Sequence, residues 1–141
     1  MEELRPLTTS RIVLRGFLRR CPLCGSSEIG ETFFHQRERC PRCNYPTERS
    51  QDQWIGSLGI NTMVSFTLLV GVIAVGFAVT YPDPPLTTLL VIAVAVAALF
   101  PVVFFPISKS LWSAIDLAMR PAEPSDDVDP RYLPPTRHGP G

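Results

Sequence analysis

Four cysteines stand in two tight pairs, Cys21-Pro-Leu-Cys24 and Cys40-Pro-Arg-Cys43, with 15 residues between the pairs. A two-residue gap lets both sulfurs of a pair reach one ion across a tight turn, and two such pairs complete a tetrahedral shell of four thiolates. Pro22 and Pro41 pre-set each turn. Gly25 and Asn44 follow, and both tolerate the positive φ that aims backbone N–H groups at the sulfurs. The pattern predicts a structural zinc ion held by Cys21, Cys24, Cys40 and Cys43, with no coordination position left for substrate or water. Iron in a rubredoxin-like site takes the same ligands and is the second assignment. A redox dithiol would need only one pair, within a thioredoxin-like βαβ unit that does not surround these cysteines. Ile29 to Gln36 contains Thr32-Phe33-Phe34, which suits a short hairpin packed over the metal. Residues 21–48 are therefore expected to form a small β zinc ribbon. Its thiolate cluster carries a net −2 charge, with Arg19, Arg20, Arg39 and Arg42 near enough in sequence to balance it. His35 reads as a solvent-facing hairpin residue, and His138 carries no signal.

The elements that carry this head are defined by where charge is missing. Apart from Tyr81, the single ionisable acid or base from Gln53 to Ser108 is Asp83, while all 13 Lys and Arg lie outside that stretch. A core helix of a water-soluble protein needs a polar face, so two long uncharged runs point to a bilayer. Each run exceeds the roughly 20 residues that cross a ~30 Å hydrocarbon core. The expected fold class is an α-helical transmembrane hairpin with two spans, 54–81 and 86–106, and a small N-terminal β zinc-ribbon-like domain. Three prolines in Tyr81-Pro-Asp-Pro-Pro85 block helix continuation, which makes 82–85 an external turn. Trp54, Tyr81 and Trp112 stand where interfacial aromatic anchors belong. Nine arginines precede the first span, Lys109 and Arg120 follow the second, and the turn carries none. The positive-inside rule then places Asp83 outside and both termini in the cytoplasm. In that reducing compartment paired cysteines bind metal rather than form a disulfide.

The flanking pieces carry weaker patterns. Within 1–20, Ile12, Val13, Phe17 and Leu18 set against Arg11, Arg15 and Arg19 make a short basic amphipathic segment suited to an anionic membrane surface; a solvated lead-in to the cysteines is the alternative. No apolar core follows these arginines before Cys21, so a cleaved secretory signal is not expected. Pro101 and Pro106 predict a bend near 100–105. Beyond them, Ile107, Leu111, Ile115 and Met119 recur at helical spacing, so 107–120 reads as an amphipathic exit helix, or else as a plain extension of the second span. The tail 121–141 is rich in Pro and Asp, nearly lacks large apolar residues and is expected to be disordered.

Several functions are disfavoured. No acid, base or histidine lies inside either span, which argues against an ion path or proton relay. Asn61, Ser65 and Thr67 read as interhelical hydrogen-bonding groups, and Gly71, Ala74, Gly76 and Ala78 as points of close helix approach. Those small-residue faces fit packing within the hairpin, a homo-oligomer, or a larger membrane protein complex. Residues 1–53 hold nine arginines against seven acids, too small an excess for the dense positive patch of a nucleic-acid surface. The lipid bilayer and protein partners are the expected counterparts on charge grounds.

The order of these features resembles the bacterial membrane family termed domain of unknown function 983. The residues carrying the resemblance are Arg15-Gly-Phe-Leu-Arg-Arg-Cys-Pro-x-Cys-Gly25, Cys40-Pro-x-Cys-Asn-Tyr45, the two spans with their Pro-rich turn, and the exit Phe105-Pro-Ile-Ser-Lys-Ser-Leu-Trp112. It covers about residues 11–120. In some bacteria such proteins are encoded beside haem–copper oxidase subunits and their assembly factors. The resemblance thus implies an accessory role at a cytochrome oxidase. Joined to the closed metal site, the small-residue helix faces and the lack of a catalytic constellation, it gives the expectation of a non-enzymatic accessory protein whose zinc ribbon docks a partner. The alternative is a membrane-tethered thiol-redox or metal-transfer protein that uses the paired cysteines actively.

Overall fold

The computed structural model describes residues 8–49 and 53–133. Expectations for 1–7, 50–52 and 134–141, His138 included, fall outside the described residues. Three helices dominate: α1 (Thr9–Phe17), α2 (Gln53–Thr80) and α3 (Leu86–Met119). At 1.5 Å per residue the 28 residues of α2 and the 34 of α3 reach about 42 and 51 Å. Both are long and apolar enough to cross a membrane. The chain reverses between them over Tyr81 to Pro85, where the prolines forecast a turn.

Each helix is longer than a ~30 Å hydrocarbon core requires, and the ends away from the turn carry the polar residues. There α2 and α3 face one another through small or polar residues. Gln53, Ser57 and Asn61 recur every four residues on one side of α2 and are buried, as are Ser108, Ser110 and Ser113 on α3. Ser57 and Ser108 donate to the carbonyl oxygens of Trp54 (2.9 Å) and Phe105 (2.7 Å) in their own helices, which lets a hydroxyl be buried without a partner across the seam. Gly56 is required beneath Trp112, since a Cβ there would lie 2.1 Å from the indole ring. Gly76 makes similar room for Leu89 near the turn, whereas Gly71 faces open space. Thr67 bonds its own helix at Met63, and the buried oxygens of Asn61 and Ser65 find no partner. The interhelical hydrogen bonds expected from these three residues are therefore not formed.

The exit segment is not a separate helix. Helix α3 continues through Pro101 and Pro106 to Met119, because its last turns are held from the side by the rest of the head. Gly16 of α1 lies so close to Ser110, Leu111 and Ala114 that an added Cβ would stand 2.4 Å from the Ala114 Cβ. Ile12, one turn earlier, joins a core with Ala114, Leu117, Leu23, Ile29 and Tyr45.

The tail departs from its expected disorder over the described part. Pro124–Asp126 and Pro130–Tyr132 form 3-10 turns, and Ala122 and Val128 are buried in that same core. Two apolar side chains suffice because the backbone is also tied down: Asp129 N–H donates to the Cys43 carbonyl (3.0 Å) and the Asn44 amide to the Asp127 carbonyl (2.7 Å). The head is thus built from four stretches of chain around the cysteines.

Candidate metal centre

Each cysteine pair sits on the same backbone knuckle. In the first, Gly25 N–H donates to the Cys21 carbonyl (2.8 Å) and Cys21 N–H to the Ser26 carbonyl (2.8 Å). In the second, Asn44 N–H donates to Cys40 (2.9 Å) and Cys40 N–H to Tyr45 (3.0 Å). Gly25 and Asn44 take φ of +79° and +58°, the left-handed geometry such a turn requires after its second cysteine.

The two knuckles face each other and bring Cys21, Cys24, Cys40 and Cys43 together, with all four sulfurs within 4.8 Å of one another. Cys21 and Cys43 sulfurs are 3.6 Å apart, as are those of Cys24 and Cys40. A disulfide needs about 2.05 Å, so no pair is bonded and all four cysteines are free. Sulfurs at the corners of a tetrahedron with ~2.3 Å metal bonds stand about 3.8 Å apart. The donor set and spacing therefore fit a metal ion. Sulfurs this close cannot all be charged unless a cation neutralises them. The Cys21 thiol is pushed far up, first by its hydrogen bond to Cys24, then by Cys43 and by burial. Cys24, accepting from Cys21, Cys43 and the backbone N–H of Ser26, is held down to about 2. Cys21, Cys40 and Cys43 are buried, and Cys24 is partly exposed.

No β-strand forms among the described residues, so the β zinc-ribbon expectation is not met. Two isolated antiparallel bridges, Gly30 with Gln36 and Arg39 with Pro46, stand in place of a hairpin ladder. The reason is local: after each bridge the backbone groups turn to close the loop or the knuckle, as when Glu31 and Thr32 N–H both donate to the His35 carbonyl. Phe33 and Phe34 do not cover the cluster either; they are 47% and 51% exposed. His35 is exposed.

The arginines are distributed differently from their order in the chain. Arg15 lies across the first knuckle, donating to the Leu23 carbonyl at 3.0 Å with its guanidinium against Gly25. Arg39 lies at the second, donating to the Asn44 carbonyl at 3.4 Å. Arg19 points to the Thr32 and Phe33 carbonyls instead, and Arg20 and Arg42 are exposed. Arg15 sits six residues before Cys21, one helical turn and a bend away, so sequence proximity alone did not single it out.

A second polar cluster fastens the centre to α3. Tyr45, directly after the second knuckle, is fully buried; burial pushes its hydroxyl up to about 12. The guanidinium of Arg49 lies over the Tyr45 ring at 5.8 Å. Arg49 also pairs with Asp116 of α3 (3.6 Å) and, in a short contact, with Asp126 of the tail. It donates to the Arg120 carbonyl at 2.8 Å. At the start of α2, Gln53 accepts from Arg49 N–H (2.8 Å) and donates to the Thr47 carbonyl. Nothing local in the sequence links positions 49, 116 and 126, so this cluster is visible only in the fold.

Residues 31–116 match the family model described as a protein of unknown function, DUF983. The matched stretch takes in Cys40, Cys43, the whole of α2 and α3 as far as Asp116, and begins after Cys21 and Cys24. Neither curated proteins nor solved structures gave a match. The match covers more than half of the chain, and the chain belongs to the DUF983 family.

Proposed function

We propose that this DUF983 member is a non-enzymatic accessory protein of the bacterial inner membrane. In this reading α2 and α3 span the bilayer with both termini cytoplasmic, and one zinc ion clips the head. The head then offers a rigid docking surface to a membrane protein complex, with a respiratory terminal oxidase the favoured partner. The observation that carries this is the construction of the cysteine centre into the same core as the last turns of α3. A metal placed there supplies folding free energy, as structural zinc does in small domains. Four thiolates close the coordination shell, so the centre has no position for a reacting water or substrate. The same contacts would fix the head's orientation relative to the spans, which is what a docking surface beside a membrane needs.

The supporting experiment is purification from native expression levels in mild detergent, with metal analysis of the product. One zinc per chain and recovered oxidase subunits support the reading. Recovery of the metal-loaded protein alone counts against the partner. The metal-transfer alternative draws on the partial exposure of Cys24. It requires the ion to exchange quickly with a chelator or an acceptor thiol, and an ion that stays in place under those conditions removes it.

A further inference from the structure

Two apolar features remain exposed after the head has assembled, and the metal clip uses neither. On α1 and its C-cap, Leu14, Phe17 and Leu18 recur at i, i+3 and i+4 and are 58%, 52% and 56% exposed. They lie away from Gly16, which packs on α3. Between the knuckles, the rings of Phe33 and Phe34 meet edge to face at 4.9 Å and are likewise half in water. Arg19 joins the two features. It directly follows Leu18, donates to the carbonyls of Thr32 (3.2 Å) and Phe33 (3.1 Å), and lies 5.5 Å over the Phe33 ring. The end of α1 and the tip of the loop therefore form one surface. Contiguous exposed apolar groups of this kind mark an interaction site.

Their height along the hairpin identifies what covers them. Gly16 contacts α3 at Ser110, Leu111 and Ala114, beside Lys109, the first charged residue after the long apolar run. Gln36, at the base of the Phe33–Phe34 loop, lines a small cavity together with Gln53, Trp54, Ser57 and Lys109. Both features thus lie near the level where α2 and α3 become apolar, and at that level Trp54 and Ile55 at the start of α2 are exposed as well. The local charge is complementary to an anionic leaflet. Residues 8–37 hold five arginines and two acids, and Arg11, Arg20 and Arg37 are exposed.

We propose that this surface is a second membrane anchor, in which Phe17, Leu18, Phe33 and Phe34 enter the anionic leaflet from which the hairpin emerges. Arg11, Arg20 and Arg37 reach the headgroup phosphates. Apolar side chains inserted beside basic ones that meet an anionic surface are the recipe for interfacial binding. The anchor presses one side of the head onto lipid and leaves the side bearing the tail free for a partner. The proposal rests on the reading that α2 and α3 span a bilayer.

The test places a photo-crosslinking p-benzoylphenylalanine at Phe34 in the full, metal-loaded chain. The protein is embedded in nanodiscs of mixed phosphatidylglycerol and phosphatidylcholine. A parallel sample carries the probe at Phe77, on the exposed flank of α2. Irradiation is expected to yield lipid adducts at both positions. Adducts at 77 without adducts at 34 overturn the anchor while leaving the spans intact. Adducts at neither position overturn the spanning helices and the anchor together. In nanodiscs of phosphatidylcholine alone the adduct yield at 34 is expected to fall several-fold. An unchanged yield there overturns the anionic assignment.

Discussion

Replacing Arg49 with alanine removes a side chain that touches Tyr45 beside the second knuckle, α3 and the tail at once. Its guanidinium pairs with Asp116 and Asp126, donates to the Arg120 carbonyl and covers the Tyr45 ring. The side chain is 14% exposed and its two acidic partners 17% and 19%. Exposed ion pairs contribute about 0–1 kcal/mol, and breaking a buried one costs about 3–5 kcal/mol. This network lies between those limits and has an added penalty, because Asp116 and Asp126 lose the cation that both share. A cost of about 2–4 kcal/mol to the docking of tail on head follows. The amide of Asp129, which donates to the Cys43 carbonyl, reports that docking through hydrogen exchange. Its protection should drop about 30- to 700-fold in Arg49→Ala, while amides in the middle of α2 and α3 stay protected. Arg49→Lys keeps the charge but loses the planar fork, and should fall between the two. Protection at Asp129 that changes less than about threefold in Arg49→Ala would refute the reasoning, since at ~1.4 kcal/mol per decade it leaves under 1 kcal/mol for the whole network.

Three further outcomes are expected. Tyr45→Phe should leave the thermal stability of the head unchanged or raise it by up to about 1 kcal/mol, because the buried Tyr45 hydroxyl has no hydrogen-bond partner; Tyr45→Ala should cost about 3–5 kcal/mol through the cavity it leaves. Gly16→Val should lift α1 from α3, given the 2.4 Å approach to Ala114 and 2.9 Å to the Ser110 carbonyl. The cost of about 1–3 kcal/mol is read as faster tryptic cleavage after Arg11 and Arg15. Removing the bound metal with a chelator should abolish protection at the Asp129 amide yet leave the helical circular dichroism of α2 and α3 nearly intact, because the knuckles and the apolar helices are stabilised independently.

What the sequence disclosed and what it hid divide along physical lines. The cysteine pairs and apolar runs were legible because each is set by local spacing: a knuckle closes within six residues, and an apolar helix carries its own hydrogen bonds. Gly25 and Asn44 adopt the left-handed backbone that their position after a cysteine pair demands. The expected β hairpin is not formed because the Glu31 and Thr32 N–H groups turn in to the His35 carbonyl, and Phe33 and Phe34, expected to pack over the metal, stand half exposed. The tail was read as disordered from its lack of apolar residues. Its order comes from partners about eighty residues away, Arg39, Asn44 and Arg49, which composition does not reveal. Two prolines normally interrupt a helix, so the sequence leaves 107–120 open between a separate exit helix and an extension of the second span; here α3 runs on to Met119, with α1 and Trp112's seat on Gly56 holding the far end in line.

The central claim is that Cys21, Cys24, Cys40 and Cys43 close around a single metal ion that holds the head together. X-ray absorption at the metal edge, on protein purified without added metal, tests it most directly. The account predicts one zinc per chain with a single shell of four sulfurs at ~2.3 Å. A shell containing nitrogen or oxygen ligands, or protein that retains no metal and carries disulfides, would contradict it.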